Sequence, residues 1–133
     1  MHMNSSMNRL AFSFYSLVVF SLAACSTSPK AVPVEPVPDI SRLGTQCNTL
    51  DPLRRVLPKY PPSAVNANQE GWSVARVFIG SEGGRPERVE IIRSSPPEIF
   101  GPPTAAAISQ WEFRPIPGGG ECYLEMRYRL WKR

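Results

Sequence analysis

The chain has 133 residues, 42% of them hydrophobic, which is enough for one small domain and too little for two. Its formal net charge of +4 at pH 7 comes from basic residues that are spread without a dense block or an aromatic-basic stripe, so nucleic acid is not an expected partner. A weak, salt-sensitive attraction to anionic lipid or cell-wall polymer is compatible with this charge.

An apolar run near the N-terminus predicts an export signal. One basic residue, Arg9, precedes residues 10–24, which are apolar apart from scattered serines and one tyrosine. This is the shape of a secretory signal peptide. A membrane-spanning helix needs roughly 20 apolar residues, whereas this run offers about 15 before polar residues follow. The run is therefore too short for a comfortable transmembrane anchor.

The end of this run, Leu22-Ala23-Ala24-Cys25, resembles the lipobox of bacterial lipoproteins. The resemblance implies that Cys25 is acylated and that the chain is cleaved between Ala24 and Cys25. It also implies that Ser26 directs the protein to the outer membrane, where it would face the periplasm. Two or three acyl chains hold a small protein firmly on a membrane. An ordinary signal peptide ending near Cys25, or an uncleaved anchor, stays open as an alternative.

Residues 26–46 are rich in proline and poor in bulky apolar residues, which predicts an extended tether. At roughly 3.1 Å per residue, about 20 such residues reach about 60 Å. The predicted organisation is a signal peptide at 1–24, a lipidated cysteine with its tether at 25–46, and one domain at 47–133.

With Cys25 assigned to the lipid, the remaining cysteines are Cys47 and Cys122. An exported protein is in an oxidising compartment, where these two can form one disulfide. The bridge would close a loop of roughly 75 residues and contribute about 4 to 5 kcal/mol at most. Two unbridged buried thiols are the alternative. A metal site is not expected because no C-x-x-C pair or nearby histidine accompanies these cysteines. The sequence predicts no cofactor either.

The domain begins with residues 47–60, for which one or two short helical turns are expected. Residues 72–80 and 87–95 are β-branched, aromatic and alternating, and the glycine-containing loop between them predicts an antiparallel hairpin. Its buried face would carry Ala75, Val77, Ile79, Val89 and Ile91. The opposite face would carry Trp72, Val74, Phe78 and Ile92. That face is unusually apolar, so either the chain itself covers it, with the Pro-rich residues 31–38 as the candidate cover, or it binds something, for example a second copy in a homodimer.

A helix is predicted at residues 102–110, where two prolines fall in or before the first turn. The chain then closes with a strand whose inward residues are Cys122, Leu124, Met126, Tyr128 and Leu130, opposite Tyr123, Glu125, Arg127, Arg129 and Trp131. The order helix, strand, strand, helix, strand predicts an α+β fold, namely a three-stranded antiparallel sheet with two short helices packed on one face.

A series of residues between 60 and 115 occurs in a characteristic order. It comprises Tyr60, Pro61, Ala64, Gly71, Gly84 in the hairpin turn, Val89, Ser94, Ser95, Pro96, the helix at 102–110, Trp111, Phe113 and Pro115. This series resembles the C-terminal domain of TonB-type energy transducers. No single element is specific, but their shared order and spacing identify the family.

The resemblance implies a partner that binds by strand addition. In this family an extended segment of an outer-membrane receptor pairs with the edge of the sheet through the C-terminal strand. The corresponding residues here are Tyr123, Leu124, Glu125, Met126, Arg127 and Tyr128. The alternative is an ordinary sheet edge that charged residues protect against pairing, namely Arg127, Arg129, Lys132 and Arg133.

One departure from the family concerns energy transmission. Its working transducers carry a serine and a histidine on an N-terminal transmembrane helix that meets a proton-driven motor. The only histidine here, His2, lies ahead of the apolar run. The sequence therefore predicts a lipid-anchored, periplasmic interaction module linked to receptor-mediated transport. The alternatives are a true transducer with an uncleaved anchor, and a structural or dimerising envelope module.

An enzyme is not expected. The acidic candidates Glu87, Glu90, Glu112 and Glu125 lie at strand positions expected to be solvated. The sequence offers no Ser/His/Asp set and no phosphate-binding glycine loop that opens a helix.

Overall fold

A computed structural model describes residues 27–131 of the chain. The predicted signal peptide, the cleavage position at Ala24 and the lipidation position at Cys25 lie outside the described residues. Within residues 27–131, no helix has the length and apolar character needed to cross a membrane. The elements in chain order are a 3₁₀ turn (Cys47–Leu50), helix α1 (Pro62–Asn66), strands β1 (Gly71–Ile79) and β2 (Arg88–Ser95), helix α2 (Gly101–Ile108) and strand β3 (Gly120–Tyr128).

The three strands form one antiparallel sheet in the order β2-β1-β3. β1 lies in the centre because its residues are apolar on both faces, which suits a strand that is covered on both sides. β2 and β3 are the two edges. The predicted three-stranded antiparallel sheet is confirmed, and the hairpin strands begin and end within about one residue of their predicted positions.

A β-bulge interrupts the pairing of β1 with β2. Val74 pairs with Arg93 and Ala75 pairs with Ile91, which leaves Ile92 as the extra residue. Ile92 is exposed and has no partner opposite it on β1. The alternation of the sequence alone had placed Ile92 on the face of Trp72, because a regular strand has a period of two and a bulge breaks that period.

The helices are short and begin with proline. α1 has Pro61 as its N-cap and Pro62 as its first residue, a position where the missing N–H would have no helical partner. The sequence predicted helical turns within residues 47–60, but only the 3₁₀ turn lies there, and α1 follows that segment. α2 begins at Gly101, one residue before its predicted start, and ends two residues before its predicted end.

The main core lies on the face of the sheet that α2 covers. Its buried members come from β1, β3, α2 and the two bridged cysteines. They are Cys47, Ala75, Val77, Ile79, Ile108, Trp111, Phe113, Cys122 and Leu124. Val89 and Ile91 of β2 pack against this cluster, so the residues predicted to face the core do so.

The chain itself covers the second face of the sheet. Trp72 and Val74 are buried against Ile40 and Val37, and the indole Nε1 of Trp72 donates a hydrogen bond of 2.7 Å to the backbone oxygen of Glu35. Of the two interpretations of this apolar face, covering by its own chain is therefore the one observed at Trp72 and Val74, while the half-buried Phe78 ring lies beneath the guanidinium groups of Arg76 and Arg88. The predicted boundary between tether and domain at residues 46 and 47 stays a prediction, but the segment 32–40 already contacts the sheet.

Candidate functional site

The outer edge of β3 is the candidate site, because β3 lies at the end of the sheet. The N–H of Tyr123 points away from β1 and donates a hydrogen bond of 2.8 Å to the backbone oxygen of Thr45. Alternate residues of an antiparallel strand direct their backbone groups to the same side. The N–H and C=O groups of Glu125 and Arg127 therefore also point outward. Within residues 27–131 they form no backbone hydrogen bond on that side.

The chain fills only the first part of this edge. Gln46 forms an isolated parallel bridge with Tyr123, and the next residue, Cys47, is joined to Cys122 in the predicted disulfide, with 4.9 Å between the two Cα atoms. Gly44 lies so close to the Tyr123 ring that a Cβ on Gly44 would be 3.0 Å from it. The disulfide thus holds the preceding residues against Tyr123. Beyond Leu124, the outward backbone groups of β3 have no backbone hydrogen-bond partner among residues 27–131.

The charged side chains of Glu121, Glu125 and Arg127 in β3 lie on the second face of the sheet, the face of Trp72 and Val74. Arg127 donates from Nε to the Glu125 carboxylate, and this hydrogen bond is the main reason why the pKa of Arg127 is raised above its usual value. Arg76 of β1 donates from Nε to the Glu121 carboxylate at 3.0 Å. Because each of these cations has an anion beside it, this part of the sheet carries both charges. It therefore does not repel a peptide with either a net positive or a net negative charge.

Aromatic packing fixes the end of β3 from the core side. The Tyr128 ring stacks on Phe100 with 4.3 Å between centroids, and the Tyr60 ring meets Tyr128 edge-on at 5.6 Å. The Tyr128 hydroxyl lies 2.7 Å from Thr104 Oγ1. Burial raises the pKa of Tyr128, while the hydrogen bond with Thr104 acts in the opposite direction. Tyr60 donates from its hydroxyl to the Gln69 backbone oxygen at 2.5 Å.

The remaining family residues hold the fold together. Gly71 begins β1 where a Cβ would lie 2.2 Å from the Ser95 oxygen. Gly84 and Phe113 exchange two backbone hydrogen bonds of 2.9 Å. Trp111 donates from Nε1 to the Val56 oxygen at 2.9 Å. Two others occupy loop positions, namely Pro61 at the cap of α1 and the exposed Pro115. These residues support the sheet and lie away from its outer edge.

The acidic residues considered as catalytic candidates do not converge. Glu90 pairs with Arg88, Glu112 with Arg54 and Glu125 with Arg127, while Glu87 is exposed beside the hairpin loop. In the part of the chain that the structure describes, no group of three or more His, Cys, Asp or Glu side chains is placed to hold a metal ion.

Residues 31–38 were the predicted cover of the second face, but sequence reasoning missed the individual contacts that connect the N-terminal segment to the sheet. Thr45 contacts the edge, and Glu35 and Gln69 hold the segment on the second face. Gln69 is buried, yet nothing in its local sequence marks it. The one available signal was the apolar second face of β1, which had to be covered by something.

An antiparallel three-stranded sheet with two helices on one face and an open C-terminal edge defines an α+β interaction module. Residues 56–130, more than half of the chain, match the family described as the Gram-negative bacterial TonB protein C-terminal. The chain therefore belongs to this family, and the resemblance predicted from the sequence is confirmed.

A solved structure shares the fold. The solution NMR structure of the TonB C-terminal domain from Pseudomonas aeruginosa is similar to this chain with a TM-score of 0.53 and 28% sequence identity. The similarity covers 62% of this chain and 87% of that one. No curated protein matches the chain.

Proposed function

We propose that this protein is a non-catalytic interaction module, held on the periplasmic face of the outer membrane by a lipid on Cys25, that binds an extended protein segment by strand addition. The observation that carries the proposal is the outward-facing backbone of Glu125 and Arg127, which has no backbone partner on that side within residues 27–131. Family membership supports a periplasmic segment of an outer-membrane receptor as the bound strand.

The geometry of the edge sets the size of the contact. The open part of β3 runs over residues 124–128, which at about 3.4 Å per residue is about 17 Å long. An incoming strand would bond to the N–H and C=O groups of Glu125 and Arg127 and would place alternate side chains beside those residues. The rings of Phe100 and Tyr128 hold this part of β3 in place from behind, so the edge needs little ordering before a partner binds.

The lipid anchor rests on the sequence from Leu22 to Cys25, and intact mass tests it. Membrane-extracted protein is expected to lack residues 1–24 and to carry acyl groups, whereas a Cys25→Ala variant carries none. An unmodified full-length mass in both proteins would contradict the anchor and would favour a transducer with an uncleaved membrane helix.

Strand addition is tested by removing one outward donor. Arg127→Pro deletes the outward N–H without deleting a hydrogen bond to β1, since proline is tolerated on an edge strand where the N–H faces solvent. Arg127→Ala is the matched control, because it removes the same side chain and keeps the N–H. The probes are synthetic peptides that cover the periplasmic N-terminal segments of outer-membrane receptors from the same bacterium.

The expected result is weaker peptide binding by Arg127→Pro than by Arg127→Ala, by about five- to tenfold for one lost hydrogen bond. Circular dichroism verifies that both variants are folded. Equal affinity of the two variants would show that the peptide does not pair with this backbone.

A further inference from the structure

An exposed apolar surface lies where β3 ends. It surrounds an open cavity of about 700 Å³, and we call it the terminal face, defined by Ala31, Val32, Val34, Leu130 and Trp131. Trp131 is 91% exposed, Val32 48% and Val34 41%. A tryptophan with such exposure beside exposed valines is unfavourable in water unless something apolar covers it.

Positive charge borders the terminal face. Lys30 immediately precedes Ala31 and Arg129 immediately precedes Leu130, and neither cation forms a salt bridge among residues 27–131. Of the neighbouring acids, Glu35 pairs with Arg93, whereas Glu70 lines the cavity as a single anion and accepts a hydrogen bond from the Leu130 N–H at 2.9 Å. A tryptophan beside apolar residues and unpaired cations is the combination found where proteins contact the headgroups of anionic lipids.

The path of the chain brings this face close to the lipid. Gln69 holds the backbone of Val32 by two hydrogen bonds, so the segment that leads from Cys25 meets the domain at Val32. Val32 lies seven positions after Cys25, and a fully extended chain of that length spans at most about 25 Å. This is less than half of the span expected for a tether that continues to residue 46. An acyl anchor on Cys25 would therefore enter the membrane beside the terminal face.

We propose that the terminal face is a membrane-binding surface, which docks on a bilayer that contains anionic phospholipid and inserts the Trp131 ring among the headgroups. This inference rests on the lipid anchor of the proposed function and adds the orientation of the domain to it. A lipid surface is favoured over a peptide because two cations that form no salt bridge among residues 27–131 border the apolar residues and because the anchor keeps the face within reach of the bilayer.

Tryptophan quenching tests the docking selectively. Trp72 and Trp111 are only 1% and 3% exposed, so a quencher in the bilayer reports Trp131. Full-length acylated protein is reconstituted into vesicles of phosphatidylethanolamine and phosphatidylglycerol, with or without bromine on the acyl chains near the headgroup. Emission is expected to fall by about a third in brominated vesicles, which is the share of one tryptophan in three, because the indole ring resides at the membrane interface.

Three variants sharpen the test. Trp131→Phe is expected to abolish the quenching. Lys30→Glu combined with Arg129→Glu is expected to reduce it, since each basic residue near an anionic surface strengthens association about fivefold. Leu57→Ser is the control, because Leu57 is also exposed but lines a different cavity, beside α2. It is expected to leave the quenching unchanged.

Intact mass on the same samples separates the two proposals. Acylated protein whose emission is equal in brominated and unbrominated vesicles would overturn the docking alone and leave the anchor standing. Protein without acyl groups would overturn the anchor and the docking together. Shielding of Trp131 from acrylamide that increases with protein concentration in detergent, without quenching in vesicles, would assign the face to a second copy of the chain and overturn the docking.

Discussion

The side-chain amide of Gln69 holds the backbone of Val32 as a neighbouring strand would. Its Oε1 accepts a hydrogen bond of 2.6 Å from the Val32 N–H, and its Nε2 donates one of 3.1 Å to the Val32 oxygen. Nε2 also donates to the Glu70 oxygen at 2.7 Å. Every polar atom of this buried side chain is therefore bonded, and the contact fixes the point where the N-terminal segment joins the sheet.

Replacing Gln69 with leucine is expected to detach this segment. The variant leaves the Val32 backbone without its partner, so the free energy of unfolding should fall by about 1 to 3 kcal/mol. The amides of residues 32–40 should exchange hydrogen faster. Urea denaturation measures the first effect and hydrogen exchange with mass spectrometry the second. Gln110→Leu is the control, because Gln110 is exposed and bonds only within its own turn. Unchanged exchange at 32–40 would contradict the role of Gln69.

Removing the disulfide is expected to destabilise the domain and to lengthen its open edge. The bridge closes a separation of 75 residues, so a variant with both Cys47→Ala and Cys122→Ala should lose up to about 4 to 5 kcal/mol of unfolding free energy. Without the bridge, Thr45 is held less firmly, and the Tyr123 amide should exchange faster.

Reductant provides the control for the disulfide prediction. It should destabilise the wild-type protein to a similar extent and leave the double variant unaffected. A double variant as stable as the wild type, measured by urea denaturation under oxidising conditions, would show that the bridge contributes little.

Gly71 is expected to tolerate no side chain. A Cβ at this position would lie 2.2 Å from the Ser95 oxygen and 2.4 Å from the Phe100 ring. Gly71→Ala should therefore cost at least about 1 to 3 kcal/mol, because β1 or Phe100 must move. At Gly120 the nearest atom to an added Cβ is 3.6 Å away, so Gly120→Ala is the matched control and should be close to neutral. Similar thermal unfolding midpoints for the two variants would contradict the packing described here.

Stability at high pH is expected to depend on Tyr128. Burial raises its pKa above the usual value of about 10, so the folded protein holds the phenolic proton more tightly than the unfolded chain. The contribution of this pKa difference to the free energy of unfolding is complete below about pH 10 and is lost as the pH rises through the raised pKa of Tyr128. The pKa of Tyr60 is also raised, first by burial and then by the charge of Glu70.

Urea denaturation between pH 8 and 11 measures this dependence. The unfolding free energy of the wild type should fall as the pH rises above about 10, and Tyr128→Phe should show a shallower fall because the variant has no proton to lose there. The variant starts from a lower stability, since it gives up the hydrogen bond to Thr104. Equal slopes in the two proteins would exclude Tyr128 as the source.

The sequence predicted the features that local patterns determine. The alternation of apolar residues in β1 and β3 identified the residues that face the core, and Cys122 lay on the inward face where its bridge forms. The predicted strand was too long at its end, because β3 stops at Tyr128 and does not include Leu130 or Trp131. Helix α2 followed from its prolines and alanines. The order of glycines, prolines and aromatic residues was sufficient to identify the family.

The features that sequence reasoning missed depend on distant contacts. Val32 and Gln69 are 37 residues apart, and Glu35 and Ser95 are 60 apart, so no local pattern indicates that these pairs meet. Residues 26–46 as a whole were interpreted as a tether because extended chain without regular hydrogen bonds is typical of one, although residues 31–38 were also considered as the cover of the second face. Helix α1 has five residues and no side-chain cap, which leaves little signal in the sequence.

The segment beside Tyr123 has a kinetic consequence for the proposed partner. It leaves an incoming strand only the outward groups of Glu125 and Arg127. Four hydrogen bonds at about 0.5 to 1.5 kcal/mol net each contribute about 2 to 6 kcal/mol, which barely reaches the lower end of the about 4 to 15 kcal/mol that association costs. Backbone pairing alone therefore gives a short residence time. If anchor and receptor share one membrane, the high effective concentration would favour repeated rebinding, so this edge is suited to frequent, brief capture.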